Sequence, residues 1–78
     1  MKSIETHYIR ASQTKPSRMV ATDGDNRIIV SYDGDRTMDC NHALAARQLR
    51  SKLGWIGTMA GGHTKKGMAW VFVGHYEI

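Results

Sequence analysis

Cys40 and His42 stand two residues apart as Cys-x-His, and His63 and His75 follow further along the chain. A thiolate and imidazoles are the ligands a structural zinc takes, and a thiol beside an imidazole is also the pairing of a nucleophile with its base. A structural zinc calls for two close pairs such as Cys-x2-Cys, and this sequence supplies one near pair. Nucleophilic catalysis further needs donors for a developing oxyanion, and no motif provides them. Cys40 therefore reads as a small buried residue at a helix start, where the helix end can lower its pKa without making it catalytic. Asn41 and His42 read as first-turn residues that hydrogen-bond the preceding loop and the sheet. The expectation is a protein that is not an enzyme and carries no metal and no cofactor.

Two Asp-Gly segments, Asp23-Gly24-Asp25-Asn26 and Asp33-Gly34-Asp35, have the oxygen ligands of a calcium loop but not its spacing. Tight turns account for both. The run Gly61-Gly62-His63-Thr64-Lys65-Lys66-Gly67 has the glycines and lysines of a phosphate loop in the wrong order, between two strands rather than before a helix. It reads as a hairpin loop whose lysines are free to touch phosphate or an acidic protein surface. Arg47, Arg50 and Lys52 lie on the predicted helix. Arg47, Arg50, Lys65 and Lys66 are the candidate partner-binding residues, being polar, exposed by pattern and brought together by the expected layout.

The elements that must position these groups follow from periodicity. A first strand is expected over Thr6–Ser12, with Tyr8 on one side and His7, Ile9 and Ala11 on the other. The segment Thr14-Lys15-Pro16-Ser17 turns, since proline fixes φ and lacks a donor. Arg18–Thr22 is the second strand. Asp23–Asn26 is a hairpin turn, and Arg27–Asp33 is the clearest strand. Thr37 or Asp39 caps a helix whose body runs from His42 to Leu53. Ala45, Ala46, Leu49 and Leu53 form its apolar stripe, extended by Met38 or His42. Gly54 ends it at C′, and Trp55 falls where a Schellman motif folds an apolar side chain back toward Leu49. Trp55–Gly61 is a weaker strand, Met68–Gly74 a strong one, and residues 75–78 a tail. In the last strand Trp70 and Phe72 face one way, and Ala69, Val71 and Val73 the other. The predicted fold is α+β: an antiparallel sheet with one helix packed on one face, in the order β-β-β-α-β-β.

The chain has 78 residues, a formal charge of +4 and one cysteine. One domain, residues 1–78, is all that such a length supports. A lone cysteine excludes an internal disulfide framework. No apolar run approaches the ~18 residues of a bilayer span, and the first ten residues lack the apolar segment of a signal peptide. A cytoplasmic setting without membrane contact is expected. Residues 1–22 net +3, residues 23–39 net −3 and residues 40–78 net +4. That two-sided pattern can steer a charged partner. One helix covers one face of five strands, so some of Tyr8, Tyr32, Trp70 and Phe72, or their counterparts Ile29, Val71 and Val73, are expected to stay uncovered. A large uncovered apolar face marks an interface, and a homodimer is the simplest occupant.

From Arg18 to Val73 the chain resembles a family of small open reading frames carried by phages and prophages. The shared pattern reads here as Val30-Ser31-Tyr32-Asp33, Asn41-His42-Ala43-Leu44-Ala45-Ala46, Lys52-Leu53-Gly54-Trp55, Gly61-Gly62 and Trp70-Val71-Phe72-Val73. In size and element order, though not in motifs, the chain is also similar to small anti-CRISPR proteins. These resemblances imply a phage-encoded, non-enzymatic protein-binding module that inhibits or modulates a host protein or ribonucleoprotein complex in the cytoplasm of the host cell. No catalytic residue carries over. The alternative is a small basic regulator that binds nucleic acid through the same four residues.

Overall fold

A computed structural model describes residues 2–73. His75, the tail at 75–78 and Gly74, the last residue of the expected fifth strand, lie outside the described residues. The elements are β1 (Ser3–Ile9), β2 (Arg18–Thr22), β3 (Arg27–Ser31), α1 (Met38–Leu53), β4 (Met59–His63) and β5 (Met68–Phe72). The strands form one antiparallel sheet in the order β3-β2-β1-β5-β4. The fold is α+β with the element order the sequence implies.

The middle of the chain folds where its local chemistry directs. Thr37 caps α1, its hydroxyl accepting from the Cys40 N–H, while Asp39 sits in the first turn. Gly54 adopts φ 70°, the left-handed region that a Schellman cap needs. Its N–H reaches the Ser51 carbonyl, and the Trp55 N–H reaches the Arg50 carbonyl. The Asp23 carboxylate takes the N–H groups of Asp25 and Asn26, and Thr22 closes the turn by donating to the Asn26 carbonyl. Asp33 organises the second Asp-Gly turn in the same way, accepting from the Asp35 N–H and the Arg36 side chain. Both aspartates are spent on contacts within their own turns.

Two strands lie elsewhere than the pattern suggests. β1 spans Ser3–Ile9, three residues before the expected Thr6–Ser12. Its core-facing row is Ile4, Thr6 and Tyr8, and the polar Thr6 in that row conceals the alternation. Ala11 and Ser12 instead enter a turn, held by the Ser17 hydroxyl and the Lys15 carbonyl. β4 begins at Met59 rather than Trp55. Residues 54–57 are consumed by the helix exit: the Arg50 guanidinium donates to the Gly57 carbonyl at 2.6 Å, and Gly57 itself has φ 128°.

The core lies between α1 and the β1–β2–β3 side of the sheet. Ile4, Met19, Ala21, Ala45 and Leu49 are completely buried. The helix packs chiefly on β2 and β1, then on β3, so it sits off-centre. His42, not Met38, extends its buried stripe. On the opposite face the second of the two expected sets is uncovered: Ile29, Val71 and Val73 are exposed. The register separates Ile29 on β3 from Val71 on β5 by the β1 row of Ser3, Glu5 and His7. That polar row divides the apolar surface on which the homodimer expectation rests.

Candidate functional site

A polar network ties the helix to the sheet. The Trp70 indole N–H donates to the Thr6 hydroxyl oxygen at 3.0 Å, and that oxygen lies 2.7 Å from His42 Nδ1. Thr6 and His42 are both buried. The threonine hydroxyl has one proton and two lone pairs, so it satisfies either imidazole tautomer while accepting from the indole. Burial pushes the His42 pKa below its ordinary value; Asp39 opposes the fall, and His63 and His7 add to it. A neutral ring suits the site. Asn41 does parallel work on the turn: its amide pairs with both the N–H and the carbonyl of Asp33 and also donates to the Thr37 carbonyl. His42 and Asn41 thus hold α1 against the sheet and against its own preceding loop.

The metal-like and nucleophile-like residues do not converge. No group of three His, Cys, Asp or Glu side chains among the described residues is placed to hold a metal ion. Cys40 is half-buried rather than buried, and its sulfur lies 3.7 Å from an Arg36 nitrogen. His63 meets Asp39 at 3.3 Å, with both side chains mostly exposed.

The four candidate residues fall into two pairs. Arg47 and Arg50 line a groove of about 190 Å³ between α1 and the β4–β5 arm, floored by Ala43, Ala46, Met59 and Trp70. Lys65 and Lys66 line another hollow beside Glu5, Thr6 and His7. The two share no lining residue, so the expected single cluster is two separate basic sites. The lysines ride a tight turn in which the Thr64 N–H reaches the Gly67 carbonyl. Gly67 is held so close to β1 that a side-chain carbon there would overlap the Thr6 carbonyl. This fixes the lysine turn over β1, with Glu5 lining the same hollow.

The arginine groove is the more developed of the two. Arg47 is exposed and makes no salt bridge among the described residues. Arg50 is anchored to the Gly57 carbonyl, so its charge is held at the groove wall rather than swinging freely. Trp70 lies across Gly61, where a β-carbon would stand 2.5 Å from the indole ring. Glycine at 61 is therefore what allows the indole to lie flat as a floor. No protein-family model matches the chain, and no curated protein or solved structure matches it either. No helix among the described residues is long and apolar enough to cross a membrane. Periodicity places Trp70 on a strand face but does not connect it to Arg47 and Arg50. The usable signal was Gly61, which the register sets directly opposite Trp70.

Proposed function

We propose that this chain is a phage-type, non-enzymatic protein-binding module that inhibits or modulates a host complex, and that the arginine groove is its principal contact surface. The observation that carries the proposal is the placement of Arg47 and Arg50 beside a half-buried Trp70 and Met59, in the groove where α1 faces the β4–β5 end of the sheet. Tryptophan and arginine are the residues most enriched at the energetic centres of protein interfaces. Two cations over an apolar floor suit an acidic partner surface with an apolar contact at its middle. The resemblance to phage open reading frames supplies the setting, and the anti-CRISPR layout supplies a host defence complex as the class of target.

A nucleic-acid-binding regulator is the second reading. The observation that favours it is the same arginine pair beside an indole, an arrangement that can hold a phosphate and stack a base. A pull-down from nuclease-treated host lysate tests the first reading. The expected result is a stoichiometric protein partner that Arg47→Glu loses. Recovery of no such partner, together with nucleic-acid binding that weakens steeply as salt rises, would replace the first reading with the second.

A further inference from the structure

β4 is an edge strand, and the phase of its hydrogen bonds shows what that edge offers. The Val73 N–H reaches the Thr58 carbonyl, and the Thr64 N–H reaches the Gly67 carbonyl. With Met59 opposite Phe72 and His63 opposite Met68, the hydrogen-bonded pairs at either end of β4 are Thr58 with Val73 and Thr64 with Gly67. Antiparallel ladders alternate, so Ala60 and Gly62 point their backbone groups at β5. Met59, Gly61 and His63 point theirs away from the sheet. None of those three has a backbone hydrogen bond on that side among the described residues.

An outward row of donors and acceptors is a template for another strand. Proteins commonly blunt such edges with charge, proline or bulk. β4 carries neither charge nor proline within Met59–Gly62; its far face is open at Gly62, while the Trp70 indole lies over Gly61 on the helix side. The other edge, β3, differs. It bears Arg27 in line, and α1 packs beside it.

The side chains of Met59, Gly61 and His63 share the helix side of the sheet with Trp70. A strand added to β4 would therefore direct every second side chain into the arginine groove. The charge there is graded. Arg47 and Arg50 stand toward the Met59 end, and Asp39 stands by His63. A second copy paired antiparallel through this edge would set the arginine end of one β4 against the Asp39–His63 end of the other, so a sedimenting dimer of the unfused chain with Met59, Gly61 and His63 already protected would show that occupant instead.

We propose that β4 is a strand-addition site for an extended acidic segment of another protein, which pairs with Met59, Gly61 and His63 and sets an acidic side chain against Arg47 and Arg50. This deepens the protein-binding reading and rests on it. Main-chain pairing gives such complexes their affinity, and alternate side chains give their specificity.

The test tethers a probe to the full chain. A heptapeptide of alternating glutamate and valine is fused through a Gly/Ser linker of about 20 residues, which reaches ~25 Å and raises the local concentration to about the millimolar range. Amide hydrogen exchange is then read residue by residue. Protection at Met59, Gly61 and His63 rises about tenfold or more, while Ala60 and Gly62, already bonded to β5, change little. The same fusion with lysine in place of glutamate shows no rise. His63→Pro in the tethered chain removes one outward N–H without touching the β5 ladder, and it abolishes the rise. Its retained protection on β1, β2 and β5 shows that the domain is folded.

No rise with the acidic probe, an equal rise with the basic one, or a rise at Arg27, Ile29 and Ser31 instead would overturn the proposal. So would an oligothymidylate that shifts the same amides more strongly than the peptide does. The lysate experiment separates the two levels. If a stoichiometric partner is lost by Arg47→Glu but kept by His63→Pro, the protein-binding reading stands and strand addition falls.

Discussion

The two halves of the sheet are built to different standards. Under α1, the β1–β2–β3 half is closed: Ile4, Met19, Ala21 and Leu49 have no solvent exposure, and every buried side-chain polar atom among the described residues has a partner. The β4–β5 arm is open. α1 packs chiefly on the other half and only borders this arm across the arginine groove. The arm's outer strand is rich in glycine, and its large side chains Trp70 and Phe72 are only half-buried. Phe72 leans on Trp55 at 5.8 Å between ring centroids, and Lys2 lies 5.1 Å over the Trp55 ring. Stability is thus concentrated in one half, and accessible chemistry in the other. A small domain that must both fold and bind separates the two tasks this way, because surface left free for a partner cannot also serve as core.

Substitutions can break that comparison. Leu49→Ala removes a fully buried side chain and is expected to cost about 2–5 kcal/mol, whereas Val71→Ala on the open arm costs less than about 1 kcal/mol. Urea denaturation of both measures the contrast, and equal losses would show that the arm shares the core. Asn41→Ala strips partners from Asp33 and Thr37 while leaving the apolar core intact. It is expected to cost about 1–3 kcal/mol without changing the protection of β4 and β5 in amide exchange.

The His42 site gives a smaller effect that depends on pH. The folded-state pKa lies below the ordinary value of 6.5, so the unfolded chain binds a proton more readily. The contribution is complete above about pH 6.5 and is lost as pH falls toward the folded-state value. Denaturation midpoints should therefore drop as pH falls below about 6.5, and His42→Gln should flatten that slope. Asp23 acts in a separate window, since the Asn26 N–H lowers its carboxyl from 3.8 and any loss there comes at still lower pH. The smallest effect belongs to Ile29→Ser, an exposed position on the divided face. It should move stability by no more than about 0.5 kcal/mol, and a change in sedimentation behaviour would restore that face as an interface.

Legibility followed how local each determinant is. The turn at Asp23–Asn26, the Gly54 stop and the Trp55 return are set by neighbours in sequence, and each lies where the residues place it. β1 was misplaced because Thr6 is buried through bonds to residues 36 and 64 positions away, which no window along the chain contains. The candidate site followed the same rule. Arg47 and Arg50 were named from charge and helix position alone. Their separation from Lys65 and Lys66, and the Trp70 floor between the arginines and β4, depend on where an off-centre helix comes to rest on the sheet.

The central position of β1 bears on the order of assembly. β1 pairs with β2 across an eight-residue connection, but its other flank waits for β5. Thr6 meets Trp70 only after 64 positions of chain have been made. On the ribosome, β1, β2, β3 and α1 therefore emerge with one flank of the first strand unfilled. The last hairpin fills that flank in the folded sheet, with its own outer strand at the edge. Each strand addition leaves a new vacancy one place further out, and in the finished molecule the vacancy stands at β4.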